Sequence, residues 1–160
     1  MKIKLTEGKT ASQEAIAALE AELGCWLSDS FKAFVQTYDG AKPETNFFKI
    51  GDKNESGVRR FIPVDEIRDE RAHIEYFPQK KAYPVAEDGL GNYVFIDEGK
   101  DGAVFFWDHY SSEESIQLAT NFAAFLRLLD PFDIKSIKLK PSQVKRVWVD
   151  PEFLKRLREK

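Results

Sequence analysis

Few side chains in this sequence have the chemistry of a catalytic or metal-binding group. The chain contains two histidines, His73 and His109, and one cysteine, Cys25. No Cys-x-x-Cys or His-x-x-x-His spacing occurs, and zinc sites are typically built from such pairs. Cys25 lies between Gly24 and Trp26, at a connection between two predicted helices, which favours a buried structural thiol over a nucleophile. We therefore predict no catalytic residue, no metal site and no cofactor.

Two further patterns have features of an active site. The Gly89-Leu90-Gly91 segment suggests a phosphate loop, but it lacks a third glycine, follows two acids and enters a strand instead of a helix. The carboxylates of Glu87 and Asp108 are suitable for general acid and base chemistry in a hydrolase. The sequence leaves that alternative open, although a non-enzymatic protein is the better interpretation.

Acids and bases are distributed unevenly along the chain. The net charge is −3, yet residues 86–115 contain eight acids and one base, whereas residues 134–160 contain nine bases and three acids. Such segregated charge steers association with charged partners. We predict that the acidic segment carries a partner-binding surface, with these residues at its rim or interface: Glu87, Asp88, Asp108, Glu113 and Glu114.

The basic segment, residues 134–160, allows a different interpretation. Its lysines and arginines are able to contact nucleic-acid phosphates, and Trp148 supplies an aromatic ring. However, lysines also protect edge strands from aggregation, and no RNA-binding aromatic pair is present. We favour the edge-strand interpretation and expect no nucleic-acid partner.

The elements that position these residues follow from the hydrophobic periodicity. Apolar residues recur at helical spacing in 10–23, 29–38 and 120–129, Thr10 and Gln13 could form a capping box, and Pro63 could open a short helix over 64–71. Strands are predicted at 46–50, 58–62, 81–86, 93–96 and 103–107, the last two as a hairpin buried on both faces, and a late strand and helix at 141–160. The prediction is an α+β fold: a mainly antiparallel sheet of about five to six strands with helices packed against it.

The bulk composition fits one soluble domain. The chain has 160 residues, 42% of them hydrophobic, and its 13 phenylalanines can build a substantial core. No apolar run approaches the roughly 18 residues that span a bilayer, and the first residues lack the apolar region of a secretory signal. A single cysteine fits a reducing compartment. We expect a cytoplasmic protein that does not enter a membrane.

The chain contains the motifs Tyr38-Asp39-Gly40, Asp88-Gly89-Leu90-Gly91-Asn92 and Trp107-Asp108-His109, among others. Together these short motifs resemble the SUKH superfamily of immunity proteins and cell-wall-synthesis regulators. They extend over roughly residues 12–130. The N-terminal motifs are Leu23-Gly24, Leu27-Ser28-Asp29-Ser30-Phe31-Lys32-Ala33-Phe34 and Tyr38-Asp39-Gly40. The later ones are Asp88-Gly89-Leu90-Gly91-Asn92, Ile96-Asp97, Trp107-Asp108-His109, and Ala119 with Phe122, Phe125 and Leu126. The chain departs from the usual pattern at Ser28, Ala41 and Asn92, where Pro, Gly and an acid are common.

This resemblance implies a single SUKH-like domain over residues 1–160, with a core at 12–130 and a C-terminal strand and helix at 141–160. It also implies a protein that acts by binding. Bacterial members resemble immunity proteins that neutralise a cognate toxin, which here would be a basic protein of the nuclease type or a deaminase. The alternative is a scaffolding adaptor that binds host proteins, as in the eukaryotic branch. We expect a monomer or a weak homodimer.

Overall fold

The computed structural model describes residues 3–52, 54–74, 80–110 and 115–131. In this part of the chain the helices are α1 (Gln13–Leu23), α2 (Asp29–Tyr38), α3 (Ile67–His73) and α4 (Phe122–Leu128). The strands are β1 (Leu5–Thr6), β2 (Lys42–Pro43), β3 (Phe47–Ile50), β4 (Asn54–Gly57), β5 (Arg60–Phe61), β6 (Ala82–Glu87), β7 (Tyr93–Asp97), β8 (Ala103–Trp107) and β9 (Ile116–Ala119). No helix among the described residues is both long and apolar enough to cross a bilayer.

Strands β5 to β9 form one five-stranded antiparallel sheet in the order of the sequence. β3 pairs with β4 in a separate hairpin, and β1 pairs with β2. These strands and the four helices confirm the predicted α+β class, although β1, β2, β4 and β9 are missing from the sequence prediction. In such a meander the connections β6–β7 and β8–β9 lie at the same end of the sheet, because strand direction alternates. The predicted strand and helix at 141–160 lie outside the described residues.

Helix α1 begins later than predicted. The backbone N–H of Ala11 donates to the carbonyl of Val35 at 2.9 Å, which ties this residue to α2 before the helix can start. Ser12 is therefore the N-cap, and its Oγ accepts from the N–H of Ala15 at 3.0 Å. The predicted capping box at Thr10 is wrong. The predicted stop is confirmed, since Gly24 has φ +64°.

The chain between β3 and α3 differs most from the prediction. The strand expected at 58–62 is shorter than predicted, because its backbone N–H groups bind four different residues. Val58 donates to Asn46 at 2.8 Å, whereas Ile62 donates to Val85 at 3.0 Å. As a result only β5 forms within this segment and pairs with β6, whereas the strand that pairs with β3 is β4, which the sequence did not predict. Helix α3 likewise starts later than expected, after turns at 64–66.

The sheet is buried on both faces of its central hairpin, β7–β8, as predicted. Val94, Ile96, Val104 and Phe106 join the main core, which also contains the apolar faces of α1, α2 and α4. The alternate residues form a second, smaller cluster on the opposite face: Phe95, Ala103 and Phe105, with Ala82 of β6. Burial on both faces gives a rigid platform for the loops at its ends.

Candidate partner-binding surface

Glu87, the first predicted site residue, is bound to arginines of its own chain. It ends β6, opposite Arg60 on one side and Tyr93 on the other. Its Oε1 accepts from Nε of Arg60 at 2.9 Å and lies 3.5 Å from Nη1 of Arg59. This carboxylate is thus engaged within the fold.

Arg60 extends this pairing into a network at the sheet edge, the Arg60 cluster, made of Arg60, Glu66, Glu70, Glu87 and Tyr93. Arg60 contacts the three carboxylates at 2.7, 3.1 and 2.9 Å, and the hydroxyl of Tyr93 donates to Glu70 at 2.8 Å. The hydrogen bond to Glu87 raises the pKa of Arg60 above its usual value. Burial, followed by Glu70, raises the pKa of Tyr93. The cluster is net negative, with three acids and one arginine, and Arg60 holds α3 to the sheet through Glu66 and Glu70.

Asp88, the second predicted site residue, is buried, with 8% of its surface exposed. Its carboxylate accepts from the backbone N–H groups of Leu90 and Asn92 at 2.7 and 3.0 Å. It also accepts from the amide of Asn92 at 2.8 Å and from the hydroxyl of Ser56 at 3.0 Å. A carboxylate with four donors fixes the backbone of its loop. Asp88 therefore supports the β6–β7 loop and joins it to the β3–β4 hairpin.

The side chain of Asn92 links the β6–β7 loop to the β8–β9 loop. Because its Nδ2 donates to Asp88, its Oδ1 faces His109. That oxygen accepts from the backbone N–H of His109 at 3.2 Å and lies 2.9 Å from Nδ1. Nδ1 therefore carries the proton, and Nε2 is the acceptor of the neutral ring. Gly91 has φ +89°, and a Cβ there would lie 3.4 Å from the imidazole.

Asp108, the third predicted site residue, is half-buried where β8 ends. Its Oδ1 accepts from the N–H of Tyr110 at 2.9 Å, which closes a tight turn. Glu113 and Glu114 lie outside the described residues, as does the basic segment 134–160. The structure thus brings Asp88 and Asp108 to one end of the sheet, while Glu87 belongs to the Arg60 cluster.

The sequence prediction missed the two most exposed apolar side chains at this end. Leu90 and Tyr110 have 74% and 85% of their surfaces in solvent, although their backbones are held by Asp88 and Asp108. A large residue between two glycines, as in Gly89-Leu90-Gly91, is the signal that could have identified Leu90. We name residues 88–92 and 108–110 the loop end. A groove of about 360 Å³ adjoins it, lined by Ser56, Leu90 and neighbouring residues of β3 and β4.

In the described part of the chain, the groups that the sequence suggested for catalysis are poorly suited to it. No cluster of His, Cys, Asp and Glu there could hold a metal ion. Burial, followed by the charge of Glu98, raises the pKa of Cys25, which disfavours the nucleophilic thiolate. Glu87 of the suggested carboxylate pair is held by Arg60. The loop end is instead suited to contact, because it combines exposed apolar groups with a fixed backbone.

Comparison with known families agrees with this geometry. A model of the SMI1/KNR4 family (SUKH-1) matches residues 10–128, most of the chain. The chain belongs to this family. The match includes α1 to α4 and the five-stranded sheet, so the resemblance found in the motifs is confirmed. Members of the SMI1/KNR4 family are generally non-enzymatic immunity or regulator proteins. No curated protein matches the chain.

Proposed function

We propose that the protein is a cytoplasmic immunity protein that blocks a cognate polymorphic toxin, a basic nuclease or a deaminase, by binding it. The observation that carries this proposal is the loop end, where Leu90 and Tyr110 are exposed on loops held by internal hydrogen bonds. Tyrosines are common anchors in protein interfaces, an exposed leucine adds apolar area to bury, and a fixed backbone lowers the entropy lost on binding.

Charge supports a basic partner. Asp108 stands beside Tyr110, and Glu113 and Glu114 follow in the sequence. We propose these three acids as rim charges that speed encounter with a cationic toxin. Glu87 and Asp88 take a supporting role in this proposal, because their carboxylates are already bound.

The test is co-expression with a panel of nuclease and deaminase toxin domains, scored by growth rescue and by co-purification. The matching toxin should be captured in a stable complex and rendered harmless. Leu90→Ala and Tyr110→Ala should each weaken binding by about 2 kcal/mol, about 30-fold in Kd. Trp26→Ala is the matched control, because Trp26 is 79% exposed but lies at the α1–α2 connection.

Two outcomes would contradict the proposal in different ways. Rescue and tight binding by a folded Leu90→Ala/Tyr110→Ala variant would show that the interface lies elsewhere. Failure to bind any toxin, together with reproducible capture of one host protein, would favour the adaptor role instead.

A further inference from the structure

An aromatic strip runs along one face of β8 and continues past its end. Alternate residues of a strand point to the same face, so Phe105 and Trp107 lie in line on β8, and the rings of His109 and Tyr110 follow beyond its end. The ring centroids of Trp107 and His109 are 6.5 Å apart, and those of His109 and Tyr110 are 3.6 Å apart. Tyr93 flanks Trp107 at 6.2 Å on the neighbouring strand. The strip leads from the buried second face of the sheet to the loop end.

The buried end of the strip already holds a cation. The ammonium of Lys100 lies 4.5 Å from the centroid of Phe105, which stacks on Phe95 at 5.3 Å. Ring faces are electron-rich and attract cations at this distance. Lys100 is also the one base in residues 86–115. The aromatic rings at the other end are close to acids instead.

The open end of the strip consists of Trp107, His109 and Tyr110, with Asp108 between them. Trp107 is half-buried, and His109 and Tyr110 are exposed. The tautomer imposed by Asn92 leaves Nε2 of His109 as a hydrogen-bond acceptor. Asp108 adds a negative charge in the same turn, although its carboxylate accepts from the N–H of Tyr110 and alternates with the rings along the chain. The open end therefore offers ring faces, an acceptor on His109 and a nearby negative charge, and this is the complement of a planar cation with N–H donors.

We propose that the open end binds an arginine side chain of the partner, with its guanidinium stacked on Tyr110 and donating to Nε2 of His109. This inference deepens the proposed function and rests on it, since it names the chemistry of the toxin at the contact. Arginine fits better than lysine because its guanidinium is planar, weakly hydrated and stacks on rings. A nucleic acid fits poorly, because Asp108 repels phosphate.

The experiment uses the isolated full chain, labelled with ¹⁵N, and three small probes. Nα-acetylarginine amide should give saturable shifts of the backbone amides at residues 107–110. The citrulline analogue has a similar shape without the charge and should bind about five-fold more weakly. The lysine analogue should also bind more weakly than arginine, because it lacks the stacking plane.

Variants distinguish binding to an aromatic ring from nonspecific binding to exposed apolar groups. Tyr110→Ala should weaken arginine binding about five-fold, whereas Tyr110→Phe, which keeps the ring, should not. Leu90→Ala removes an exposed apolar group of the loop end without removing a ring, and should have no effect on the probe.

Several results would overturn the inference. These are equal shifts with arginine and citrulline, lysine binding as tight as arginine binding, or a loss with Leu90→Ala equal to that with Tyr110→Ala. Binding of octathymidylate at the same amides would assign the strip to nucleic acid. If the chain rescues growth from a toxin but the amides of the open end do not shift with arginine, only this inference fails. If the amides respond to arginine but no toxin is neutralised, the proposed function fails instead.

Discussion

The Arg60 cluster and the loop end both contain carboxylates that are close together in the sequence, yet the two regions use them differently. Glu87 meets Arg60 across β5 and β6 at 2.9 Å, so its charge is balanced inside the fold. Asp108, at the loop end, caps a turn beside the exposed Tyr110. A run of acids in a sequence therefore does not define an acidic face.

The two regions also differ in what surrounds their charges. In the Arg60 cluster, Glu66, Glu70 and Glu87 share one arginine, and the arrangement serves stability. At the loop end, Asp88 orders the backbone while Leu90 and Tyr110 stay in solvent. A structural network satisfies its polar groups and buries its apolar ones, whereas a contact surface leaves apolar groups exposed on an ordered frame.

The largest effect is expected from Asp88→Ala, which tests whether the loop end depends on the hydrogen bonds that Asp88 accepts. The substitution leaves the N–H groups of Leu90 and Asn92 and the amide of Asn92 without their acceptor. Unsatisfied buried donors are costly, so the free energy of unfolding should fall by about 3 kcal/mol. Urea unfolding monitored by tryptophan fluorescence measures this change.

Asp52→Ala is the control for Asp88→Ala, because Asp52 is an exposed acid in the β3–β4 turn. It should change the free energy of unfolding by less than about 0.5 kcal/mol. Equal unfolding midpoints for Asp88→Ala and the unmodified chain would contradict the role assigned to this carboxylate.

A smaller effect is expected from Arg60→Met in the Arg60 cluster. Three carboxylates lose their shared cation, but the Arg60 side chain is 26% exposed, so water screens part of the resulting repulsion. The free energy of unfolding should fall by about 1–2 kcal/mol, while the affinity for a matched toxin stays unchanged.

Arg59→Met is the matched control in the same strand region. Its side chain is 70% exposed, and its 3.5 Å contact with Glu87 is longer than the 2.9 Å contact of Arg60. Both stability and binding should therefore be nearly unchanged. A loss of toxin affinity in Arg60→Met without loss of stability would show that the toxin binds at the Arg60 cluster. The distinction between a structural cluster and a contact surface would then be wrong.

Periodic parts of the fold could be predicted from the sequence. α2 and the β7–β8 hairpin carry strong apolar patterns, and both lie within a residue of their predicted bounds. The segment at 58–62 could not be placed, because its N–H groups bind Asn46, Ala41 and Val85, which are distant in sequence. β9 was missed because it has no buried apolar face to produce a periodic pattern. Two of its four residues are exposed and the other two are half-buried.

For the candidate site, the sequence shows which segment is acidic but not how its side chains are arranged. The acidic segment contains the β6–β7 and β8–β9 loops, which the fold brings to one end of the sheet, and their role in binding stays a prediction. It could not distinguish Asp88, whose acceptors face inward, from Asp108, because that depends on the turn formed by residues 88–92. Exposure of Leu90 and Tyr110 is likewise a tertiary property, since most residues of these types are at least partly buried.

The smallest effect on stability, and the sharpest test of charge at the loop end, is expected from Asp108→Asn. Asparagine keeps an oxygen to accept from the N–H of Tyr110, so the turn remains and the free energy of unfolding should change by less than about 0.5 kcal/mol. Only the charge is lost, and a rim charge acts mainly on encounter. Stopped-flow association with a matched basic toxin should be slower at low salt and less sensitive to salt, with an almost unchanged dissociation rate.

Asp101→Asn is the matched control for Asp108→Asn, and it decides whether the effect is local. Asp101 is an exposed acid at the opposite end of the β7–β8 hairpin, and its φ of +56° is a conformation that asparagine tolerates. Both variants remove one negative charge from the chain. If only the net charge of the protein mattered, the two substitutions would slow association equally. Because screening limits the reach of a surface charge to about 8–10 Å in ordinary salt, a toxin bound at the loop end should respond to Asp108 and ignore Asp101.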